Sequence, residues 1–153
     1  AIRHYKENLQ WSDEINLRSL EKARRKHHLQ TVAAMNLKKT PGGANTNKVE
    51  LREFVKKHKG LLRSQVDLYW SQTDIIVCCG VEVGSLFRSL VKDISLQKHV
   101  FETADKEMAK KILYYQTGDG KLIIDFYHPQ AHISKGFMYN SIRDLVSFFS
   151  NLS

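Results

Sequence analysis

The sequence predicts an α/β sandwich with a mainly parallel sheet, in one domain spanning residues 1–153. Two observations predict this fold class. Short runs of β-branched and apolar residues alternate with segments of helical periodicity, in the order α-β-α-β-α-(β)β-α. The chain is 42% hydrophobic and contains no internal repeat, which is consistent with a single buried core. Strands that are separated by helices pair in parallel, so we expect a mainly parallel sheet.

The helices follow from apolar residues that recur every three to four positions. The spacing predicts helices over residues 13–26, 47–70, 81–91 and 139–152. Ser12 and Asp13 are good caps for the first helix, and Asn47 followed by Glu50 resembles a capping box for the second. Gly60 lies inside the second helix, where it costs ~1 kcal/mol relative to Ala and allows a kink.

The strands are short and apolar, and turn residues separate them. We expect strands over residues 30–37, 74–80, 112–116 and 121–128. The alternating run at 112–116 is typical of an edge strand, and residues 117–120 predict a turn into the strand that follows. That strand should end at His128, because Pro129 cannot donate to a sheet ladder. Residues 95–110 predict a charged surface loop with a short helix near 106–110.

The charge balance favours a polyanionic partner. Lys and Arg total 24 against 16 Asp and Glu, which gives a net charge of +8. No run is long and apolar enough to span a membrane, and the first residues contain no signal-peptide core, so we expect no membrane partner and a cytoplasmic or nucleoid-associated location. Cys78 and Cys79 are adjacent in an apolar run, which is typical of small buried hydrophobic residues. No Cys/His spacing predicts a metal site, and we expect no cofactor.

Two polar residues are expected at the carboxyl ends of strands, where open α/β sheets bind ligands. His128 ends the strand at 121–128, although a structural histidine closing the strand would explain it as well. Asn36 ends the strand at 30–37, although Asn also favours turns at strand ends. Lys38 and Lys39 follow at once, before a Pro-Gly-Gly loop whose backbone can approach a phosphate closely.

The segment TVAAMN ending at Asn36, the segment DIIVCCG at 74–80 and the segment HPQAHIS at 128–134 together resemble the uracil-DNA glycosylase superfamily. The resemblance covers about residues 29–150 and implies a three-layer α/β/α sandwich. It implies an enzyme that flips uracil or a modified base out of DNA and hydrolyses its N-glycosidic bond. DNA repair by base excision would then be the function, with DNA as the partner.

The resemblance also implies a role for each site residue. His128 would donate a hydrogen bond to the departing base, and Asn36 would read the edge of that base. Ser134 and Lys135 would bind DNA phosphate on one side, and Lys38 or Lys39 on the other. Ile133 would be the apolar wedge that fills the vacated stack, in competition with Phe137 and Met138.

The family's first strand and its water-activating loop are not found in residues 1–28. We therefore expect a domain that is incomplete on its amino-terminal side, with activity only if this motif is supplied. A sheet without that strand favours self-association or a partner that completes it. The serine that commonly follows His-Pro in the family is Gln130 here. Two alternatives remain: a non-catalytic DNA- or base-binding module on the same fold, and an α/β enzyme acting on a small phosphorylated substrate.

Overall fold

The structure, a computed structural model, describes residues 32–38, 47–91, 94–103, 111–128 and 131–150. The chain divides into two compact units. The larger unit comprises Met35–Glu102 and Lys111–Gln130, and the smaller unit comprises Ala1–Ala34, Thr103–Lys110 and Ala131–Ser153. The predicted helix at 13–26 and the predicted short helix at 106–110 lie outside the described residues.

The described part of the larger unit contains three helices and four strands. In chain order these are α1 (Lys48–Lys57), α2 (Lys59–Trp70), β1 (Ile75–Cys79), α3 (Val81–Leu90), β2 (Leu96–Glu102), β3 (Lys111–Thr117) and β4 (Leu122–Phe126). The described part of the smaller unit contains α4 (Lys135–Ser150). The prediction of an α/β fold is confirmed.

The strands form one open sheet in the order β1-β4-β3-β2. β1 pairs with β4 in parallel, whereas β3 pairs antiparallel with both β4 and β2. The prediction of a mainly parallel sheet is therefore wrong. β3 and β4 are joined by the tight turn at 117–120, and strands joined in this way must run antiparallel, whereas β1 reaches β4 only after α3, β2 and β3.

The presence of β2 corrects two predictions about residues 95–117. Residues 96–102 form a strand instead of part of a surface loop, and the strand at 111–117 is an interior strand because β2 covers its other edge along its whole length. β2 is polar and mostly exposed, as edge strands commonly are. This composition hides the apolar alternation by which strands are recognised.

The segment before α1 is also corrected. Residues 32–36 are exposed and form no strand, so the prediction of a buried strand ending at Asn36 is wrong for these residues. Leu37 is buried, and its side chain joins the core between α1, α2 and α3. The apolar residues of 32–36 have strand propensity, but strand formation needs a partner ladder, and none forms with the described residues.

Helix boundaries follow their capping residues. Asn47 caps α1, because its Oδ1 accepts hydrogen bonds from the backbone N–H groups of Val49 at 3.0 Å and Glu50 at 3.3 Å. The predicted long helix is interrupted at His58, two residues before Gly60. α4 begins at Lys135 and not near Tyr139, because the Ser134 hydroxyl accepts the Phe137 N–H at 3.1 Å and starts the helix earlier.

Helix α3 packs on β1 and β4, and α1 and α2 pack on each other and on α3. Their shared core consists of Leu37, Leu51, Val55, Leu62, Val66 and Leu90. The side chains of β4 are buried on both faces of the sheet, as Leu122, Ile123 and Ile124 show. None of the helices in the described ranges is long and apolar enough to cross a membrane.

Candidate functional site at the carboxyl end of the sheet

The parallel strands β1 and β4 end together. Cys79 pairs with Phe126, and the Gly80 N–H donates a hydrogen bond to the Phe126 carbonyl at 2.7 Å. Gly80 then turns the chain into α3 with φ of +118°, a conformation that L side chains rarely adopt. The carboxyl ends of two adjacent strands and the start of a helix therefore meet at one end of the larger unit.

His128 lies at this end. The strand β4 ends at Phe126 and not at His128, so the histidine stands two residues beyond the ladder, where its side chain is exposed. Pro129, which was expected to end the strand, lies outside the described residues. The strand was expected to reach His128, so this boundary is corrected by two residues, and the imidazole lies beyond the carboxyl end of the strand instead of on its last residue.

Two ion pairs lie at the first turns of α1 and α3. The Arg52 guanidinium of α1 donates from Nε to Glu82 Oε1 at 2.5 Å and from Nη2 to Oε2 at 2.9 Å, and Glu82 lies in the first turn of α3. Glu50, in the first turn of α1, accepts from Lys38 Nζ at 2.8 Å. Asn36 is exposed and lies two residues before Lys38. These contacts place Lys38 beside the first turn of α1, and the described contacts include none between Asn36 and His128.

The carboxylates that the described contacts place here are all paired with cations. Besides Glu50 and Glu82, Glu102 at the end of β2 lies at this end, because β2 runs in the same direction as β4, and it pairs with Lys111 at 3.4 Å. The hydrogen bond from Lys38 lowers the pKa of Glu50, and that from Arg52 lowers the pKa of Glu82. Both shifts make these carboxylates weaker proton acceptors, the wrong direction for a general base at neutral pH.

The remaining predicted site residues lie elsewhere in the chain. Ser134, Lys135 and Ile133 belong to the smaller unit, and Lys39 lies outside the described residues. Ser134 is the cap of α4 and Lys135, which is exposed, is its first residue. Ile133 is half-buried.

No protein-family model, curated protein or solved structure matches the chain. Within the described ranges, no group of three or more His, Cys, Asp or Glu side chains is arranged to hold a metal ion. Cys78 and Cys79 are both free thiols. Burial, followed by the nearby charge of Asp125, raises the pKa of Cys78 to about 12, so this thiol stays protonated at neutral pH.

A buried ion pair joins α3 to β4 next to the candidate site. The Arg88 guanidinium of α3 hydrogen-bonds Asp125 of β4 and stacks over the Tyr115 ring at 4.0 Å from its centroid. The Asp125 side chain is 2% exposed. Gly84 faces Asp125, and a Cβ at that position would stand 2.6 Å from the Asp125 Cγ. The pair therefore fixes α3 against β4, and so fixes Gly80 and the start of α3 beside the end of that strand.

Sequence reasoning did not find these supporting residues. One signal was present, since Asp125 is a single charged residue in an apolar run, and such a residue needs a buried partner. The partner itself could not be named, because Arg88 is 37 residues away. The Arg52–Glu82 contact spans 30 residues and carries no local signal.

Proposed function

We propose that this protein is a DNA glycosylase that flips uracil or a modified base out of DNA and hydrolyses its N-glycosidic bond at the carboxyl end of the sheet. One observation carries the proposal: His128 is exposed just beyond the end of β4, where the parallel strands β1 and β4 end together. Such a reaction needs a hydrogen-bond donor for the departing base and an amide that reads its edge, the roles proposed for His128 and Asn36.

The chemistry requires stabilisation of the leaving group. Cleavage of the N-glycosidic bond leaves negative charge on the departing base, and a fixed donor aimed at a base oxygen lowers the energy of that transition state. His128 is the donor in this proposal. Asn36 offers one donor and one acceptor, which is sufficient to distinguish a uracil edge from a cytosine edge.

The proposal includes the finer fold, a three-layer α/β/α sandwich of the uracil-DNA glycosylase type, with the family's first strand not found among the described residues. Two observations support it. The segment at 74–80, which contributes to the resemblance, contains β1, and its parallel neighbour β4 leads into the segment at 128–134, which also contributes. The β4 side chains that face away from Asp125 and α3, those of Leu122, Ile124 and Phe126, are buried as well, as a second covering layer requires.

A second candidate function is a module of the same fold that binds DNA or a flipped base without cutting it. The ion pairs of Glu50, Glu82 and Glu102 favour this candidate, because none of these carboxylates is poised to activate water. Both candidates share a DNA partner, as the net charge of +8 suggests. They differ only in base release.

The deciding experiment measures base release from labelled single-stranded and duplex oligonucleotides that carry uracil or one of several modified bases. Since the family's water-activating loop is not found in residues 1–28, base release is expected only if that motif is supplied, and where release occurs His128→Ala should lose about 10²–10³-fold in rate, the range for removal of one preorganised donor. Asn36→Ala should lose the preference for uracil over cytosine. His132→Ala, which removes another exposed histidine, is the matched control and should retain the wild-type rate.

The outcomes separate the candidates. If His128→Ala and His132→Ala release base at the wild-type rate, His128 is not the catalytic donor. Salt-sensitive binding without any release supports the non-catalytic module. If the chain neither binds nor cuts any of the oligonucleotides, both candidates are wrong.

A further inference from the structure

The two residues that follow Asn36 attach its segment to the larger unit. Leu37 is buried, and its side chain belongs to the core between α1, α2 and α3. Lys38 donates from Nζ to Glu50 Oε2 at 2.8 Å. Asn36 itself is exposed. One apolar contact and one ionic contact therefore fix the chain immediately after an amide that stays accessible.

Glu50 is itself held in place at the start of α1. Its Oε1 accepts a hydrogen bond from Asn47 Nδ2 at 3.3 Å, while its Oε2 accepts the bond from Lys38. Glu50 lies in the first turn of the helix, where the helix dipole favours a carboxylate. Because both carboxylate oxygens are engaged, the direction from which Lys38 binds is fixed.

A second ion pair joins α1 to α3. Arg52 donates from Nε to Glu82 Oε1 at 2.5 Å and from Nη2 to Glu82 Oε2 at 2.9 Å. Two parallel bonds between a guanidinium and a carboxylate fix the orientation of the groups as well as their distance. Glu82 lies in the first turn of α3, two residues after Gly80, and the Gly80 N–H is bonded to the last residue of β4.

The two ion pairs connect the segment of Asn36 to the place where β1 and β4 end. Glu50 and Arg52 are two residues apart on α1. At 100° per residue, their side chains leave the helix about 200° apart, in nearly opposite directions. One of them can therefore bind the segment of Asn36 while the other binds α3, and the rigid helix backbone between them joins the two contacts.

These ion pairs contribute more to orientation than to stability. The side chains of Lys38 and Glu50 are 27% and 56% exposed, and those of Arg52 and Glu82 are 59% and 23% exposed. Ion pairs that water reaches so easily add little to the free energy of unfolding. Their geometry nevertheless restrains the parts that they join, and a binding site needs its groups in a fixed arrangement.

We propose that Glu50 and Arg52 are positioning residues, which hold Asn36 in a fixed place relative to the carboxyl ends of β1 and β4. Each acts through the segment or the helix that it binds, and neither contacts the base. The reading of a base by Asn36 rests on the proposed function, whereas the placement of Asn36 does not.

The placement is measured without any ligand. Spin labels are attached at Asn36→Cys and His128→Cys in the full-length chain, with Cys78 and Cys79 replaced by alanine, and the distribution of distances between the labels is recorded. We expect one narrow distribution. Circular dichroism verifies that the labelled chain and each variant of it are folded.

Four variants of the labelled chain test the ion pairs. Glu50→Ala and Arg52→Gln should each broaden the distribution, because each removes one of the two links. Glu82→Gln should broaden it as much as Arg52→Gln, and the two combined should broaden it no further, because they remove the same contact. Lys57→Gln removes an exposed cation of the same helix and should leave the distribution unchanged.

Three results of this measurement would overturn the proposal. The first is a distribution that neither Glu50→Ala nor Arg52→Gln broadens. The second is equal broadening by Lys57→Gln, and the third is a combined effect of Arg52→Gln and Glu82→Gln that is the sum of the separate effects.

Binding of oligonucleotides links the placement to base reading. Fluorescence anisotropy gives the ratio of the affinities for two single strands that differ only in one uracil or one cytosine. We expect a wild-type preference for uracil of roughly 5–150-fold, the range for one bidentate contact to a base edge. Arg52→Gln should lower this preference by at least about threefold, since small displacements of a positioned group are costly. In an Asn36→Ala background, Arg52→Gln should have no further effect.

The two measurements keep this proposal apart from the proposed function. Distance distributions that follow the ion pairs, without binding of any oligonucleotide, support the placement and refute the proposed function. A preference for uracil that Asn36→Ala abolishes and Arg52→Gln leaves unchanged supports the proposed function and overturns the positioning role.

Discussion

Replacement of Gly84 by Ala tests the buried contact between α3 and β4. An added Cβ would overlap the Asp125 carboxylate, at 2.6 Å from its Cγ, and would stand 3.0 Å from Arg88 Nη1. Neither neighbour can move freely, because Asp125 is 2% exposed and bonded to Arg88, which in turn stacks on Tyr115. We expect Gly84→Ala to destabilise the protein.

The magnitude follows from three opposing contributions. Overpacking a core costs about 1–3 kcal/mol, and breaking a buried ion pair costs about 3–5 kcal/mol. Replacing a helical glycine by alanine returns about 1 kcal/mol of helix propensity. Displacing the ion pair relieves the overlap, so its cost applies in place of the overpacking cost, and after the gain in helix propensity is subtracted the expected net loss in the free energy of unfolding is about 2–4 kcal/mol, which is about 5–15 °C in Tm for a chain of this length.

Urea unfolding followed by circular dichroism and tryptophan fluorescence measures this loss. Gly60→Ala is the matched control, since Gly60 is also helical but has open space around the added Cβ, and it should stabilise the protein by about 0.5–1 kcal/mol. In an Asp125→Ala background the cost of Gly84→Ala should shrink by at least about 1 kcal/mol, because the clashing carboxylate is gone. A neutral Gly84→Ala, or a cost unchanged in that background, would refute the reasoning.

Three further predictions concern other parts of the larger unit. Burial raises the pKa of Cys78 to about 12 and also raises that of Cys79, so both thiols should react more slowly with a thiol reagent at pH 8 in the folded than in the unfolded chain; equal rates would contradict their burial. Hydrogen bonds from Thr117 and Trp70 lower the pKa of Asp119, so its contribution to stability should be present above about pH 4 and disappear as the pH falls below it. Asp119→Asn should remove that part of the pH dependence of the urea midpoint, and an unaltered profile would argue against it. Alternate residues of β1 donate their N–H groups to β4. The Val77 N–H belongs to the other set and points to the outer edge of β1, where no described strand pairs with it. Any concentration-dependent association through this edge should be abolished by Val77→Pro with the circular dichroism spectrum retained; association that persists in this variant must use another surface.

Local patterns predicted the elements whose causes are local. The strand at 75–79, the helix that follows Gly80 and the Asn47 cap of α1 each depend on residues within a few positions of one another, and each is present. The helix boundary at Ser134 is local as well, but the regular apolar spacing starts only near Tyr139 and does not mark the capping hydroxyl. The placement of His128 near the carboxyl end of a core strand also followed from a local apolar run.

Sheet topology and the site's electrostatics could not be obtained in this way. Whether a β-compatible segment forms a strand depends on a partner ladder, so the apolar residues 32–36 remain unpaired with the described strands while the polar β2 pairs along its full length with β3. Ion pairs such as Arg52–Glu82 and Arg88–Asp125 join residues 30 and 37 positions apart. The sequence by itself determined the α/β class, the helical spacing and the residue types available for binding. Only the tertiary structure decided strand order and which charges are neutralised, because hydrogen-bonded ladders and ion pairs depend on distance in space and not on separation along the chain.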